Sequence, residues 1–259
     1  MKLSIITISF NPGLSLERTI HSVLSQNYPD MEWIVVDGGS TDGALEFYEK
    51  IRKHIFKFVS EPDKGIADAM NKGLRLASGD AVIYMNAGDE FANGKVLEKI
   101  VAQWHAESYD WATGDGLVFD KDGNFLYERP VSNETSEGLV RNGCRIMHAA
   151  TVVKRSTLIE VGGFSTEFKS SMDYELWLRL ISNRIFPQLL SFSVAKFYLG
   201  GVSGNLLRRY SEERHARKLH GASRLSLEIK LAAITMLKQI ASPMRRFRVT
   251  YLLKEWLKL

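Results

Sequence analysis

Over roughly its first 105 residues the chain alternates short apolar runs with segments of helical spacing, and this alternation constrains the fold more than any other feature. Residues 3–10 are rich in Ile and Thr and read as a buried strand, which Asn11-Pro12-Gly13 breaks. Leu16, Ile20, Val23 and Leu24 then recur at helical spacing over 16–26. The pattern repeats. Strands are expected at 31–36, 56–60 and 81–85, and helices at 43–52, 66–77 and 96–105, joined by connections of a few residues. Strand–helix–strand order implies a parallel sheet covered on both faces.

The rhythm then changes. Residues 111–119 and 125–129 flank Asp120-Lys121-Asp122-Gly123-Asn124, a hairpin turn signal. Residues 149–154 read as a strand, 173–182 as an amphipathic helix carrying Leu176, Trp177 and Leu180, and 188–199 as extended. From about residue 205 the chain reads as helix only, broken at Ser242-Pro243, and the charge shifts at the same place. Residues 205–259 hold 13 Lys+Arg against 4 Asp+Glu, whereas 1–204 hold 21 against 26. A catalytic domain over 1–204 followed by a basic helical extension over 205–259 is therefore expected. An acidic body without a recognition motif argues against nucleic acid as partner. The sole cysteine, Cys144, excludes an intrachain disulfide and a cysteine-rich metal site, which fits a reducing compartment. Residues 1–7 read as strand rather than signal peptide, and no uncharged apolar stretch reaches the roughly 18 residues of a membrane span. The expected location is cytoplasmic, at most peripheral on the inner face of the plasma membrane.

Acids and glycines cluster where the strands run out, which is where open α/β sheets hold ligands. The clusters are Asp37-Gly38-Gly39-Ser40-Thr41-Asp42, Glu61-Pro62-Asp63-Lys64-Gly65 with Asp68-Ala69-Met70-Asn71-Lys72-Gly73, and Asn86-Ala87-Gly88-Asp89-Glu90. Asp37 suits a base edge or a ribose hydroxyl, and equally, with Asp42, the start of the next helix. Lys64 suits a diphosphate beside a helix N-terminus, or a solvated loop. Asp89 suits a divalent ion, or a strand-end turn. Asp173 opens a helix, where a general base and an N-cap are compatible because both need an ionised acid. Glu175, two residues on, faces elsewhere. His148 suits metal, diphosphate, acceptor or a purely structural role. Residues 200–203, Gly-Gly-Val-Ser, suit a lid or a turn. In the extension, Arg208, Arg209, Arg214, Arg217, Lys218, Arg224, Arg245, Arg246 and Arg248 accompany Leu225, Ile229, Met236, Ile240, Phe247, Tyr251, Trp256 and Leu257, a mixture that fits an anionic membrane surface, packing on the catalytic domain, or dimerisation.

Taken in order, residues 4–11, 35–43 and 61–73 resemble the nucleotide-binding half of glycosyltransferase family 2, and Met172-Asp173-Tyr174-Glu175-Leu176-Trp177-Leu178-Arg179 resembles the same family's base segment. The resemblance covers about 1–205 and is strongest to the subgroup that builds bacterial surface polysaccharides, the colanic acid type among them. It implies a GT-A fold: a Rossmann-like α/β domain with a mostly parallel sheet flanked by helices, residues 1–105 forming the nucleotide-sugar half and 106–204 the acceptor half. It implies inverting transfer from a nucleoside-diphosphate sugar, a UDP-sugar favoured, to a hydroxyl of a glycan or lipid-linked acceptor. Thr7, Asn11, Asp37, Lys64, Asp68, Asn71 and Asn86 would line the donor pocket, with Asp37 on a uracil-like base. Asp89 would hold Mg²⁺ or Mn²⁺, Asp173 would be the base, and His148 would face acceptor or phosphate. The chain departs from the family at its Asp-x-Asp cluster, where Asn86 and Gly88 leave Asp89 with Glu90. A catalytically inactive nucleotide-sugar-binding module is the rival that this departure raises. A sugar nucleotidyltransferase is another, though Asn11-Pro12-Gly13 lacks the basic Gly-rich loop such an enzyme places after its first strand.

Overall fold

The computed structural model describes residues 1–131, 138, 144–199 and 206–241. The 200–203 segment, the Ser242-Pro243 break and the basic and aromatic residues beyond it lie outside the described residues.

Among the described residues, nine strands form one sheet. β1 (Leu3–Ser9), β2 (Met31–Asp37), β3 (Lys57–Ser60) and β4 (Ala81–Tyr84) lie in the order β3-β2-β1-β4, all parallel. Helices α1 (Ser15–Leu24), α2 (Ala44–Lys50) and α3 (Ile66–Leu76) connect them. Expected and observed bounds for these elements agree to within a few residues. β1 and β4 are buried along their whole length, as the central strands of a doubly covered sheet must be. Alternate residues feed opposite cores. Ile6, Ile8, Ile34 and Val36 join one, and Leu3, Ile5, Trp33 and Val35 the other. Helix α3 packs so closely on β1 that a Cβ at Gly73 would lie 2.4 Å from Ile6 Cγ2.

Beyond β4 the sheet becomes mixed. β8 (Thr151–Lys154) lies antiparallel between β4 and β6 (Trp111–Phe119), and β6 also pairs antiparallel with β7 (Phe125–Arg129) and parallel with β9 (Gln188–Tyr198). The mostly parallel arrangement thus describes the N-terminal half, and the second half adds the antiparallel pairings. A two-residue strand, β5 (Glu90–Phe91), pairs with β9 and is too short to carry a periodic signal. Helices α4 (Val96–Ala106), α5 (Arg155–Glu160) and α6 (Met172–Ser182) cover the sheet. Trp177 of α6 stacks on Trp111 of β6 with centroids 4.8 Å apart and planes 9° from parallel, so Trp177 serves the core. Helices α7 (Leu206–Leu219) and α8 (Leu225–Ala241) follow, and α7 lies against α6. No helix among the described residues is long and apolar enough to cross a membrane.

At the opposite end of the sheet from the loops that follow β1 to β4, Glu32 is buried in a polar knot. Its carboxylate accepts from Ser4 Oγ at 2.7 Å and from Ser78 N–H and Oγ at 2.6 Å each, and pairs with Lys2 Nζ at 2.6 Å. Burial pushes the carboxyl up, but these partners outweigh it and hold the group at about 2. Because the folded value lies below the unfolded one, the stabilisation is complete above the unfolded value and is lost as pH falls toward the folded one. Glu32→Gln should therefore flatten the fall in the urea midpoint between about pH 5 and pH 3. An unchanged slope in that variant would remove Glu32 from the acid response.

Candidate active site

The carboxyl ends of β1, β2, β3 and β4 form one edge, and the acid- and glycine-rich turns leave from it. At the end of β2, Asp37 is fully buried, with both oxygens engaged by its own chain. Oδ1 accepts from Ser9 Oγ at 3.0 Å and Ser40 Oγ at 2.5 Å; Oδ2 accepts from Gly39 N–H at 3.0 Å, Ser40 N–H at 2.8 Å and Ser60 Oγ at 2.8 Å. Burial disfavours the ionised carboxylate, and the hydrogen bonds from Ser40, Ser60 and Ser9 override that and hold the group below its ordinary value. In this arrangement Asp37 binds the ends of β1, β2 and β3 into one rim. Its neighbour Gly38 leaves space for Asp63, since a Cβ there would fall 2.6 Å from Asp63 Oδ2.

Thr7 is likewise buried. Its hydroxyl donates to the Met85 carbonyl at 2.8 Å and accepts from Trp33 Nε1 at 3.0 Å. Asn71 stands on α3. Its amide grips the Phe164 backbone at both ends, 2.8 Å and 2.9 Å, and so fixes the loop before α6. Asp68 caps α3 by accepting from the Lys64 N–H at 3.0 Å. The Lys64 side chain is exposed beside that helix start. Asn11 sits on the rim, its Oδ1 accepting from Thr41 N–H at 2.8 Å.

The turn after β4 brings three expected residues together. Gly88 has φ +105°, a conformation that L side chains rarely adopt, which gives the glycine at this position a backbone reason. Thr19 of α1 clamps the turn: its hydroxyl donates to the Asp89 carbonyl at 2.7 Å and accepts from Gly88 N–H at 2.8 Å. Asp89, 7% exposed, reaches His148 Nε2 through Oδ2 at 3.1 Å. Asn86 Nδ2 lies 3.0 Å from the same nitrogen. On the other side of the ring, Nδ1 is 4.0 Å from Asp173 Oδ2. His148 stands in a single helical turn before β8, seated directly on β6, where a Cβ at Gly116 would lie 2.0 Å from Met147 Sδ. Asp89, His148 and Asp173, separated in sequence, thus form one line.

The electrostatics follow. Burial alone would lower the His148 imidazole, but its hydrogen bond to the Asp89 carboxylate and the charges of Asp89 and Asp173 raise it above its ordinary value. Burial raises Asp173, partly offset by His148 and by the Tyr174 N–H that donates to Oδ1 at 2.7 Å. Asp173 still keeps 21% of its side chain open. A carboxylate raised toward neutrality, partly open and held in place, is suited to taking a proton. Glu175 does point elsewhere, to Arg179 at 2.8 Å and His220 at 2.9 Å.

Among the described residues no group of three His, Cys, Asp or Glu stands close enough to hold a metal unaided. The donor chemistry nonetheless fits a divalent ion that shares its shell with a ligand. Asp89 offers a carboxylate, His148 an imidazole nitrogen, and Asn86 Oδ1 is buried with no hydrogen-bond partner. Mg²⁺ and Mn²⁺ accept such a partial set when phosphate oxygens and water supply the rest.

Comparison with known proteins decides the family, since the model of glycosyl transferase family 2 matches residues 4–170. The chain belongs to glycosyltransferase family 2. An uncharacterized glycosyltransferase of Mycobacterium tuberculosis is 32% identical over 186 residues, 68% of each chain. A putative teichuronic acid biosynthesis glycosyltransferase of Bacillus subtilis is 42% identical over 128 residues, covering 46% of this chain and 51% of the relative. Among solved structures, TarS of S. aureus in complex with UDP-GlcNAc superposes with TM-score 0.68 at 19% identity, over 84% of this chain and 66% of that one. A mannosyltransferase from Pyrobaculum calidifontis in complex with GDP-Man and Mn²⁺ superposes with TM-score 0.57 at 17% identity, over 95% and 82%. The GT-A fold of this family 2 member is thereby shown, and membership makes it a glycosyltransferase rather than a nucleotidyltransferase.

Residues that the sequence reading passed over complete the rim. Ser9, Ser40 and Ser60 hold Asp37, and Thr19 holds the Asp89 turn. Ser9 and Ser40 stood inside motifs without being singled out; Ser60 lies at a strand end and Thr19 on a helix face, where a hydroxyl gives no periodic signal.

Proposed function

We propose that this family 2 glycosyltransferase moves a sugar from a nucleoside-diphosphate sugar to an acceptor hydroxyl with inversion at the anomeric carbon. The observation that carries the reading is the Asp89–His148–Asp173 line at the carboxyl edge of the parallel strands. The turns after β1, β2 and β3 seat the nucleotide, with Lys64 beside the diphosphate at the start of α3. Asp89, with Asn86 Oδ1 and His148, would hold a divalent ion, which neutralises the diphosphate leaving group when bound. Asp173 takes the proton of the acceptor hydroxyl as that oxygen bonds to the anomeric carbon. The bond from that carbon to the diphosphate breaks, and its electron pair leaves with the nucleoside diphosphate. His148, close to both acids, keeps Asp173 ionised and oriented between donor and acceptor.

A UDP-sugar is the favoured donor, consistent with the UDP-GlcNAc complex of the TarS structure, and a glycan or lipid-linked hydroxyl is the favoured acceptor. Contact with an anionic membrane is part of the proposal. Exposed Leu225, Ile229 and Met236 share α8 with Lys230 and follow Arg224.

The test is thermal stabilisation by nucleotide and metal. UDP with Mn²⁺ at about 100 times its dissociation constant should add about 2.7 kcal/mol. Asp89→Ala should lose the metal-dependent part, and Asn86→Ala should lose less because it removes no charge. No shift with UDP, GDP or dTDP, with or without Mg²⁺ or Mn²⁺, would overturn the donor-site assignment.

A further inference from the structure

We propose that α7 holds the base helix in position and that Glu212 is a positioning residue for Asp173, a role that rests on reading Asp173 as the base. Helix α6 begins at Met172, and the residue before it, Ser171, makes no side-chain cap. The backbone N–H groups leading into the helix are satisfied from a different element. Glu212 Oε1 accepts from Lys169 N–H at 3.2 Å. Its Oε2 accepts from Ser170 N–H at 2.9 Å, Ser171 N–H at 3.0 Å and Ser170 Oγ at 3.0 Å. One carboxylate thus gathers three successive N–H groups, the arrangement of an anion in a backbone nest. A negative charge at a helix start is also favoured by the helix dipole. Asp173 follows the last of these N–H groups by two residues, so the backbone that carries the base is fixed by Glu212.

The same helix and the residue that follows it hold α6 at further points. His220 Nε2 lies 2.9 Å from Glu175 Oε1, Ser182 Oγ donates to the His220 carbonyl at 3.4 Å, and the Arg217 guanidinium lies 6.0 Å from the centre of the Tyr174 ring. The His215 ring lies 5.7 Å from Phe168, just before the nest. The charge of Arg209, from the first turn of α7, also acts on Asp173. A segment that reads as a separate basic tail is, in the fold, the back wall of the base. The competing reading is that these contacts only attach α7. The two differ in what they do to catalysis. An attachment would alter stability, and with it donor binding and turnover together. A positioning contact alters turnover alone, because a displacement of about 1 Å at the reacting groups can lower a rate about 10²-fold.

The experiment uses the full chain with Glu212→Ala and Glu212→Gln, measuring UDP affinity by calorimetry, the melting midpoint, and kcat with the UDP-sugar that stabilises the wild type. E212A is expected to lower kcat about 10- to 100-fold with UDP affinity unchanged. E212Q should recover part of the loss, because its single amide oxygen can accept from the Ser170 and Ser171 N–H groups, leaving only the Lys169 N–H unserved. Wild-type kcat in a folded E212A overturns the proposal, as does a parallel loss of kcat, UDP affinity and melting midpoint. If E212A does not fold, Glu212→Asp carries the test: it keeps the charge but withdraws it by one methylene. Reduced kcat with intact UDP affinity then supports the role, and wild-type kcat overturns it. Failure of the underlying reading shows separately, as a D173N protein that still transfers.

Discussion

Asp173→Asn is expected to lower turnover by about 10²–10⁴-fold, the usual contribution of a general base, while nucleotide affinity stays at the wild-type level. Asparagine keeps the shape, and its carbonyl oxygen can still accept the Tyr174 N–H that now reaches Asp173 Oδ1. It cannot accept a proton at neutral pH. The donor turns lie at the ends of β1 to β4 and share no hydrogen bond with residue 173. Turnover and a UDP titration on the same preparation therefore separate the two effects. Transfer within a few-fold of wild type would reduce Asp173 to a helix-start residue and pass the proton to His148, since both Glu175 oxygens are engaged by Arg179 and His220.

The second large effect concerns stability. Arg217 has no exposed surface, and its guanidinium meets Glu228 of α8 through two bonds, 2.7 Å and 3.0 Å. Ser223 Oγ adds a third contact to the same carboxylate at 3.3 Å. Burial would lower the guanidinium, and Glu228 more than compensates, raising it further above its usual value. Glu228→Ala leaves that charge buried with Glu213 at 3.8 Å as its remaining acidic neighbour in the cluster. The expected loss is about 3–5 kcal/mol in urea unfolding, the range for breaking one side of a buried pair. Replacing both residues by apolar ones of similar volume should recover much of it. A loss below about 1 kcal/mol for E228A would place the pair among surface ion pairs. Truncation before residue 225 removes Glu228 as well. It is thus expected to destabilise the catalytic domain rather than release an independent tail.

The contrast with the sequence reading is instructive. The alternation of β1 to β4 with their helices was legible because β1, β2 and β4 are mostly apolar and buried, and α1 and α3 each bury an apolar stripe; β3, at the sheet edge, is only partly covered. The line of Asp89, His148 and Asp173 was legible only in part. The two acids stood in recognisable motifs, whereas a lone histidine before a strand had no partner in sequence, and the fold supplied both. For Thr7 and Asn71, membership in a motif does not say which way a side chain faces: one points into the core and the other across to Phe164. The extension was read from its net charge, which is a property of surfaces. Its internal acids, Glu212, Glu213 and Glu228, are few, and they are the ones that tie it to the base helix and to itself.

The position of β8 bears on how this chain is made. β4 pairs with β1 on one side and must wait for β8 on the other, a partner about 70 residues further along the chain. The first four strands can assemble as they emerge, since β2, β3 and β4 each find a parallel neighbour already made. At about 5–20 residues per second, the apolar edge of β4 then stays open for several seconds of synthesis. An open, flat, hydrophobic edge is a template for unwanted pairing with another chain. The growing polypeptide is therefore most prone to aggregate after the nucleotide half has formed and before residue 154 is available. Slowed translation between those points should lower the soluble yield more than slowing anywhere earlier.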